Sequence, residues 1–323
     1  METKAPASEL RVACLSHTPL RGMLDPHSSV VDEIDQVLER VRQRIASFDP
    51  ELVILFAPDH FNGFFYDLMP PFCIGTQARS VGDYLSPAGD LNVDAAAALA
   101  LAERLMDEDF DIAVSRRMVV DHGFAQSLQL LWGGLETPPV LPIFLNAVAQ
   151  PGIPRLRRCR ALGQAIGRFL EGEPRRTLLI GSGGLSHEPP VPTLSHPDAA
   201  VRERITRRVE PTPAERDAKT QRVMAAGRAL AAGDSAMKPL NPLWDRRWMD
   251  ALADGGPALD ALCAMDEASI ERDAGLSAHE SKSWLVARSA LPVDRALPCT
   301  LRHYQAIPEY IAGFGLMVLK QPN

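Results

Sequence analysis

The apolar run Leu52-Val53-Ile54-Leu55-Phe56, halted by Pro58, constrains this chain more than any other stretch. Five consecutive large apolar side chains with no polar alternate suit a strand covered on both faces, the condition of a mostly parallel sheet packed between helices. Asp59 and His60 follow at the strand's carboxyl end, where open α/β sheets hold their ligands, and Asn62-Gly63 turns the chain away.

The same arrangement of strand, polar turn and histidine recurs along the chain. Arg11 to Ser16 is a short apolar strand that delivers His17. A helix follows, capped by Ser28 or Ser29, with Val30, Ile34, Val37, Leu38, Val41 and Ile45 at three- and four-residue steps. With Leu52 to Phe56 it makes a β-α-β unit, and two parallel neighbouring strands would bring His17 and His60 into one crevice. Ala95 to Met106 and Arg155 to Leu170 read as further helices, and Asp111 to Val120, Val140 to Leu145 and Arg176 to Ile180 as further strands. The first of these strands ends at Asp121-His122, the last at Gly181-Ser182-Gly183-Gly184-Leu185-Ser186-His187. From Asp198 to Ala290 the pattern is helical. Arg207 to Ser235 reads as a solvated surface helix, His279-Glu280 as opening or lying within the last long helix, and Phe314 to Leu319 as a closing strand. The expectation is one α/β domain over residues 1–323. A mostly parallel central sheet flanked by helices occupies 1–197, and a largely helical section with the closing strand occupies 198–323.

A formal net charge of −7 argues against a nucleic-acid partner, because neutralising phosphate takes a concentrated basic surface. Five scattered cysteines with no C-x-x-C pair suit a reducing compartment and offer no thiolate metal site. The most apolar helix, Val93 to Met106, is shorter than the ~20 residues of a membrane span and carries Glu103 and Arg104. The N-terminus has no apolar stretch of signal-peptide length, so a cytoplasmic protein without a membrane partner is expected.

A single histidine beside apolar sequence is ordinarily a hydrogen-bonded structural residue. Here five of eight (His17, His60, His122, His187, His279) lie where strands end or turns begin, which points to a shared polar site. Two imidazoles and a carboxylate on one face of a metal leave positions open for a chelating substrate and O2, the arrangement suited to iron(II). H-E-x-x-H is absent, as is a deaminase H-x-E with P-C-x-x-C. Gly181 to Gly184 lacks the Lys and Ser/Thr of a phosphate loop, and neither Ser182 nor Ser186 forms G-x-S-x-G. These glycines suit a tight turn or a close backbone approach before His187.

Seven segments in order carry a resemblance: Cys14 to Pro19, Phe56 to His60, Asn62 to Asp67, Asp121 to Gln126, Gly181 to His187 with Pro189-Pro190, His279-Glu280, and Ile311 to Gly315. Together, from Arg11 to Gly315, the chain resembles the class III extradiol ring-cleaving dioxygenases. The resemblance implies Fe(II) held by His17, His60 and Glu280, with His122 as proton donor and His187 as proton acceptor. It implies O2 and a catechol with a three-carbon acid side chain as substrates, and a homo-oligomer. The leader Met1 to Leu10 is longer than the family's, and Arg207 to Ser235 and Leu291 to Leu301 match it poorly. Three alternatives stand beside these roles. His279 could ligate, with Glu280 a surface acid; His122 and His187 could merely orient ligands; Asp59 and Asp121 could orient histidines or cap helices. A zinc-dependent hydrolase and a metal-free binding protein are the competing functions for such a scaffold.

Overall fold

The computed structural model describes residues 11–209 and 211–320, so the leader Met1 to Leu10 lies outside the described residues. The strands are β1 (Arg11–Leu15), β2 (Leu52–Ala57), β3 (Phe72–Gly75), β4 (Ala78–Val81), β5 (Ala88–Asp90), β6 (Ala113–Ser115), β7 (Met118–Val120), β8 (Val140–Leu145), β9 (Thr177–Ser182), β10 (Cys299–Ile307) and β11 (Ala312–Lys320). The helices are α1 (Ser28–Phe48), α2 (Ala95–Asp107), α3 (His122–Trp132), α4 (Leu156–Leu170), α5 (Ala199–Thr206), α6 (Pro213–Ala231), α7 (Pro242–Asp254), α8 (Gly256–Cys263), α9 (Glu267–Ala274) and α10 (Lys282–Ser289). Two 3₁₀ turns span Leu276–Ser281 and Pro308–Tyr310. No helix among the described residues is long and apolar enough to cross a membrane.

The main sheet runs β10-β11-β1-β9-β2-β8-β3-β6, and β5-β4-β7 form a smaller one. As the apolar runs predict, β2, β8 and β9 are buried at every residue. The pairings β1–β9, β9–β2, β2–β8 and β3–β6 are parallel; β10–β11, β11–β1 and β8–β3 are antiparallel. Side chains alternate between two cores. Leu52, Ile54 and Phe56 pack with α2, α4 and α7 to α10, while Val53, Leu55 and Ala57 face the side of α1 and α3.

Three expectations are corrected here. β1 and β2 are parallel but not neighbours, because the crossover through α4 returns the chain past β2 and lays β9 between them. The strand expected from Asp111 to Val120 is two strands, β6 in the main sheet and β7 in the small one, broken around Arg116 and Arg117. The C-terminal section is helical to residue 289 and ends in the closing strand, as expected, but that strand, β11, is the second arm of a long hairpin whose first arm, β10, was not expected. Helix α1 begins as predicted, but its cap is His27, whose Nδ1 accepts from the Ser29 amide.

Two glycines of α4 explain how the helical section docks. A Cβ on Gly163 would lie 2.3 Å from the Val286 carbonyl oxygen, and one on Gly167 would lie 2.6 Å from that of Ala290. Helix α10 therefore rests its backbone directly on α4. Because α10 continues straight from the turn that carries Glu280, this contact sets the height of that carboxylate above the sheet. Gly163→Ala is expected to destabilise the protein by about 1–3 kcal/mol in urea unfolding, through overpacking against backbone that cannot move aside. Gly134→Ala, with open space at its Cβ, is expected to leave the unfolding midpoint unchanged.

Candidate active site

Four loops at the carboxyl ends of β1, β2, β7 and β9 meet the turn after α9. Beyond β1, the Ser16 amide donates to the Gly315 carbonyl (2.9 Å) and Gln126 clasps the backbone of Thr18 through both its amide atoms (2.7 and 2.8 Å). His17 between them is fixed and buried. Beyond β2, the Asp59 carboxylate accepts the amides of Asn62, Gly63 and Phe64, which closes a turn with Phe61 in the left-handed region (φ 58°). Asp59 thus shapes the loop and does not touch the His60 ring. Asp121 does. Its Oδ2 accepts from His60 Nδ1 (3.1 Å) and from the His60 amide (2.7 Å), while Oδ1 caps α3 at the Gly123 amide.

His17, His60, His187 and Glu280 close on one another. The Glu280 carboxylate lies 3.3 Å from His17 Nε2, 3.1 Å from His60 Nε2 and 3.1 Å from His187 Nε2, and accepts the Gly184 amide at 3.0 Å. His122 completes the cluster, its ring 5.4 Å from that of His17 and stacked at 4.5 Å on that of His60. One nitrogen from each of His17, His60 and His122 lies within 4.8 Å of the others. The glycines after β9 make this approach feasible: a Cβ on Gly183 would meet the Glu280 carbonyl at 2.5 Å, and one on Gly184 the His187 ring at 2.7 Å. His279 turns the other way, its Nε2 3.1 Å from Glu271 Oε1, so it is Glu280 that joins the histidines. Successive residues of a 3₁₀ turn point about a third of a turn apart, which separates the two.

Hydrogen-bond bookkeeping orients the rings. Ser182 Oγ donates to the Gly123 carbonyl (2.6 Å) and accepts from Ser127 (2.7 Å). Its single proton is spent, so His17 Nδ1, 2.9 Å away, must be the donor. His60 Nδ1 donates to Asp121, His122 Nδ1 to Asp83 Oδ2 (2.7 Å) and His187 Nδ1 to the Leu185 carbonyl (2.8 Å). In every ring the outer nitrogen is tied down, leaving Nε2 as the reactive atom. A ligating imidazole is held in this way.

Charge is divided unequally among these groups. Burial lowers the His17 pKa to about 3, only partly offset by Glu280. Burial also opposes charge on His60, but Asp121 and Glu280 outweigh it and raise its pKa well above 6.5. The same contest, with Glu280 as partner, raises His187. Glu280 is driven well below the usual carboxylate range because His187 and His17 overcome its burial.

The patterning overlooked Asp83, whose two oxygens take the amide and Nδ1 of His122 from a loop 39 residues away. Beside it Tyr84 and Leu85 both hold left-handed backbone (φ 47° and 62°), a strained pair of non-glycine residues of the kind that collects at functional sites. A Gly82-Asp83 turn was the only signal. Ser127 and Ser182 were likewise not legible as ring-orienting groups, since a serine that only relays a hydrogen bond leaves no motif in the sequence.

The family model described as the catalytic LigB subunit of aromatic ring-opening dioxygenase matches residues 11–315. The chain belongs to this family. Curated relatives named 2,3-dihydroxyphenylpropionate/2,3-dihydroxicinnamic acid 1,2-dioxygenase include one from Comamonas testosteroni, 63% identical over 94% of this chain and 95% of the relative. Another, from Burkholderia vietnamiensis strain G4, is 51% identical over 95% and 96%. The crystal structure of an uncharacterised protein from Escherichia coli K12 shares the fold, with a TM-score of 0.50 and 12% identity over 97% of this chain and 99% of that one.

Membership in this ring-opening dioxygenase family implies a metal cofactor, and the donor set fits one: inward Nε2 atoms with tied outer nitrogens around a buried carboxylate. A metal must displace any proton on His60 Nε2. Because Asp121 and Glu280 hold that proton to higher pH than in a free imidazole, apparent affinity for the metal is expected to rise as pH increases above about 6.5, with proton release on binding, measured by anaerobic metal titration in several buffers. Asp121→Asn, which loses one acceptor and the charge behind His60, is expected to weaken metal binding about 10- to 100-fold in the same titration.

Proposed function

We propose that this dioxygenase uses iron(II) and O2 to cleave the ring of 3-(2,3-dihydroxyphenyl)propionate beside its two hydroxyls. The product would be 2-hydroxy-6-oxonona-2,4-dienedioate, or the corresponding trienedioate from 2,3-dihydroxycinnamate. The substrates are those in the names of relatives 63% and 51% identical over nearly the whole chain. The observation that carries the site assignment is the orientation of three rings. His17 and His60 stand nearly perpendicular (84°), each with Nε2 against Glu280, so their in-plane lone pairs can converge on one ion beside the carboxylate. His122 lies almost parallel to His60 (18°). Lone pairs of stacked rings run side by side and do not meet, so proximity of the His122 nitrogen does not make it a third ligand. We therefore assign His17, His60 and Glu280 to the iron. The open positions of such a site suit a ferrous ion that binds the catechol oxygens and O2 and carries electrons between them.

The remaining histidines handle protons. His187, its Nδ1 held by the Leu185 carbonyl and its Nε2 turned into the cluster, is the acceptor for a catechol hydroxyl at Nε2. His122, held at Nδ1 by Asp83 and flanked edge-on by the Tyr84 ring at 5.0 Å, presents Nε2 as the donor toward the oxygen that departs during cleavage. A metal-free binding protein has no use for two such proton carriers beside three ligands. The five free cysteines, four of them at least half-buried, agree with a cytoplasmic enzyme. A homo-oligomer is the assembly we infer from the family.

Protein purified without air is expected to contain about one iron per chain and to take up O2 on addition of 2,3-dihydroxyphenylpropionate, with a yellow ring-opened product. Zinc without oxygen uptake would overturn the assignment. His122→Ala and His187→Ala are expected to keep their iron while turnover falls about 10²- to 10⁴-fold. His17→Ala, His60→Ala and Glu280→Ala are expected to lose the iron itself, as read by metal analysis of the purified variants.

A further inference from the structure

Helix α6 was expected to be a solvated surface helix, yet one stripe of it faces inward. Lys219, Val223 and Gly227 recur at four-residue steps; Val223 and Gly227 are buried and Lys219 is half-buried. Gly227 anchors the stripe, because a Cβ there would lie 2.6 Å from the Glu309 carbonyl oxygen and 3.0 Å from Leu20. Two turns earlier, Lys219 reaches the active-site rim. Its Nζ lies 3.4 Å from the carbonyl oxygen of His60 and 5.9 Å from the centre of the Tyr84 ring, the ring that stands edge-on to His122.

This ammonium has no carboxylate partner among the described residues. The acids of the cluster are already engaged: Glu280 with three imidazoles, Asp121 with His60 and Asp83 with His122. Lys282, by contrast, is buried with Glu267 as its counter-ion. A half-buried cation held by one long contact to a neutral carbonyl leaves most of its donors unused. Two further cations lie near this rim, both exposed: Arg208, which donates to the Gly63 carbonyl at 2.6 Å, and Arg222, one turn on from Lys219 and within electrostatic reach of Tyr84.

We infer that Lys219 is the specificity residue that binds the side-chain carboxylate of the catechol substrate. The inference rests on the ring-opening function proposed above and deepens it. The ring's hydroxyls go to the histidine–glutamate cluster, and the three-carbon arm extends along Tyr84 to the ammonium. A charge-assisted hydrogen bond in this partly dehydrated rim favours the acid over an uncharged analogue of the same shape.

The test compares kcat/KM for 2,3-dihydroxyphenylpropionate with that for 3-propylcatechol, in the iron-loaded wild type, Lys219→Met, Lys219→Arg and Arg208→Met. In Lys219→Met the ratio of acid to uncharged substrate is expected to fall about tenfold or more, mainly through KM for the acid, with much of the preference restored in Lys219→Arg. In the wild type, KM for the acid alone is expected to rise with ionic strength. An unchanged ratio in Lys219→Met, an equal loss on both substrates, or a fall in Arg208→Met instead would overturn the assignment while leaving the ring-opening function standing. Absence of oxygen uptake by the wild type with either catechol would overturn both.

Discussion

The arrangement depends on one buried carboxylate. Glu280 is about 1% exposed, and an anion so far from water is tolerated only where donors surround it. The Gly184 amide is one, and the Nε2 atoms of His60 and His187 face the carboxylate where a shared proton or a bound ion meets the charge; His17, whose proton sits on Nδ1, turns a lone pair toward it. The same contacts that make the carboxylate stable there draw the strand ends into a single pocket. Glycines at 183 and 184 are what let a main chain pass close enough for this to happen.

Behind that contact stands a set of outward ties that differ in kind. His17 leans on a serine pair, His60 and His122 on carboxylates, and His187 on a main-chain carbonyl. Anionic ties strengthen an imidazole's hold on a proton or a cation, while neutral ties mainly fix its direction. Asp245 extends the network on the His187 side: it accepts the Ser186 amide and hydroxyl at 2.7 Å and the Tyr304 hydroxyl at 2.6 Å. Through Tyr304, strand β10 contributes to the placement of a loop that lies more than a hundred residues earlier.

Much of this is legible in the sequence. Apolar runs located β2, β8 and β9, and histidines placed just past strand ends marked the pocket, because strand ends are where parallel sheets expose polar groups. Glu280 was legible only through resemblance, since periodicity could not choose between it and His279; the 3₁₀ geometry decides between them. Strand order was not legible, because a crossover helix carries no mark of how many strands it passes. Asp83 escaped for a related reason: its partner is distant in sequence and its turn is unremarkable in composition. Lys219 left a faint trace in the stripe with Val223 and Gly227, drowned by the charged residues on the helix's other faces.

The place of β11 has a consequence for how the protein is made. β1 leaves the ribosome first but pairs on one side with β9 and on the other with β11, antiparallel from Arg11↔Lys320 to Leu15↔Leu316. Until the β10–β11 hairpin is synthesised, one edge of a mostly apolar strand has no partner to cover it. During that interval the nascent chain carries an unpaired edge of the kind that recruits foreign strands, and only the hairpin made last closes it.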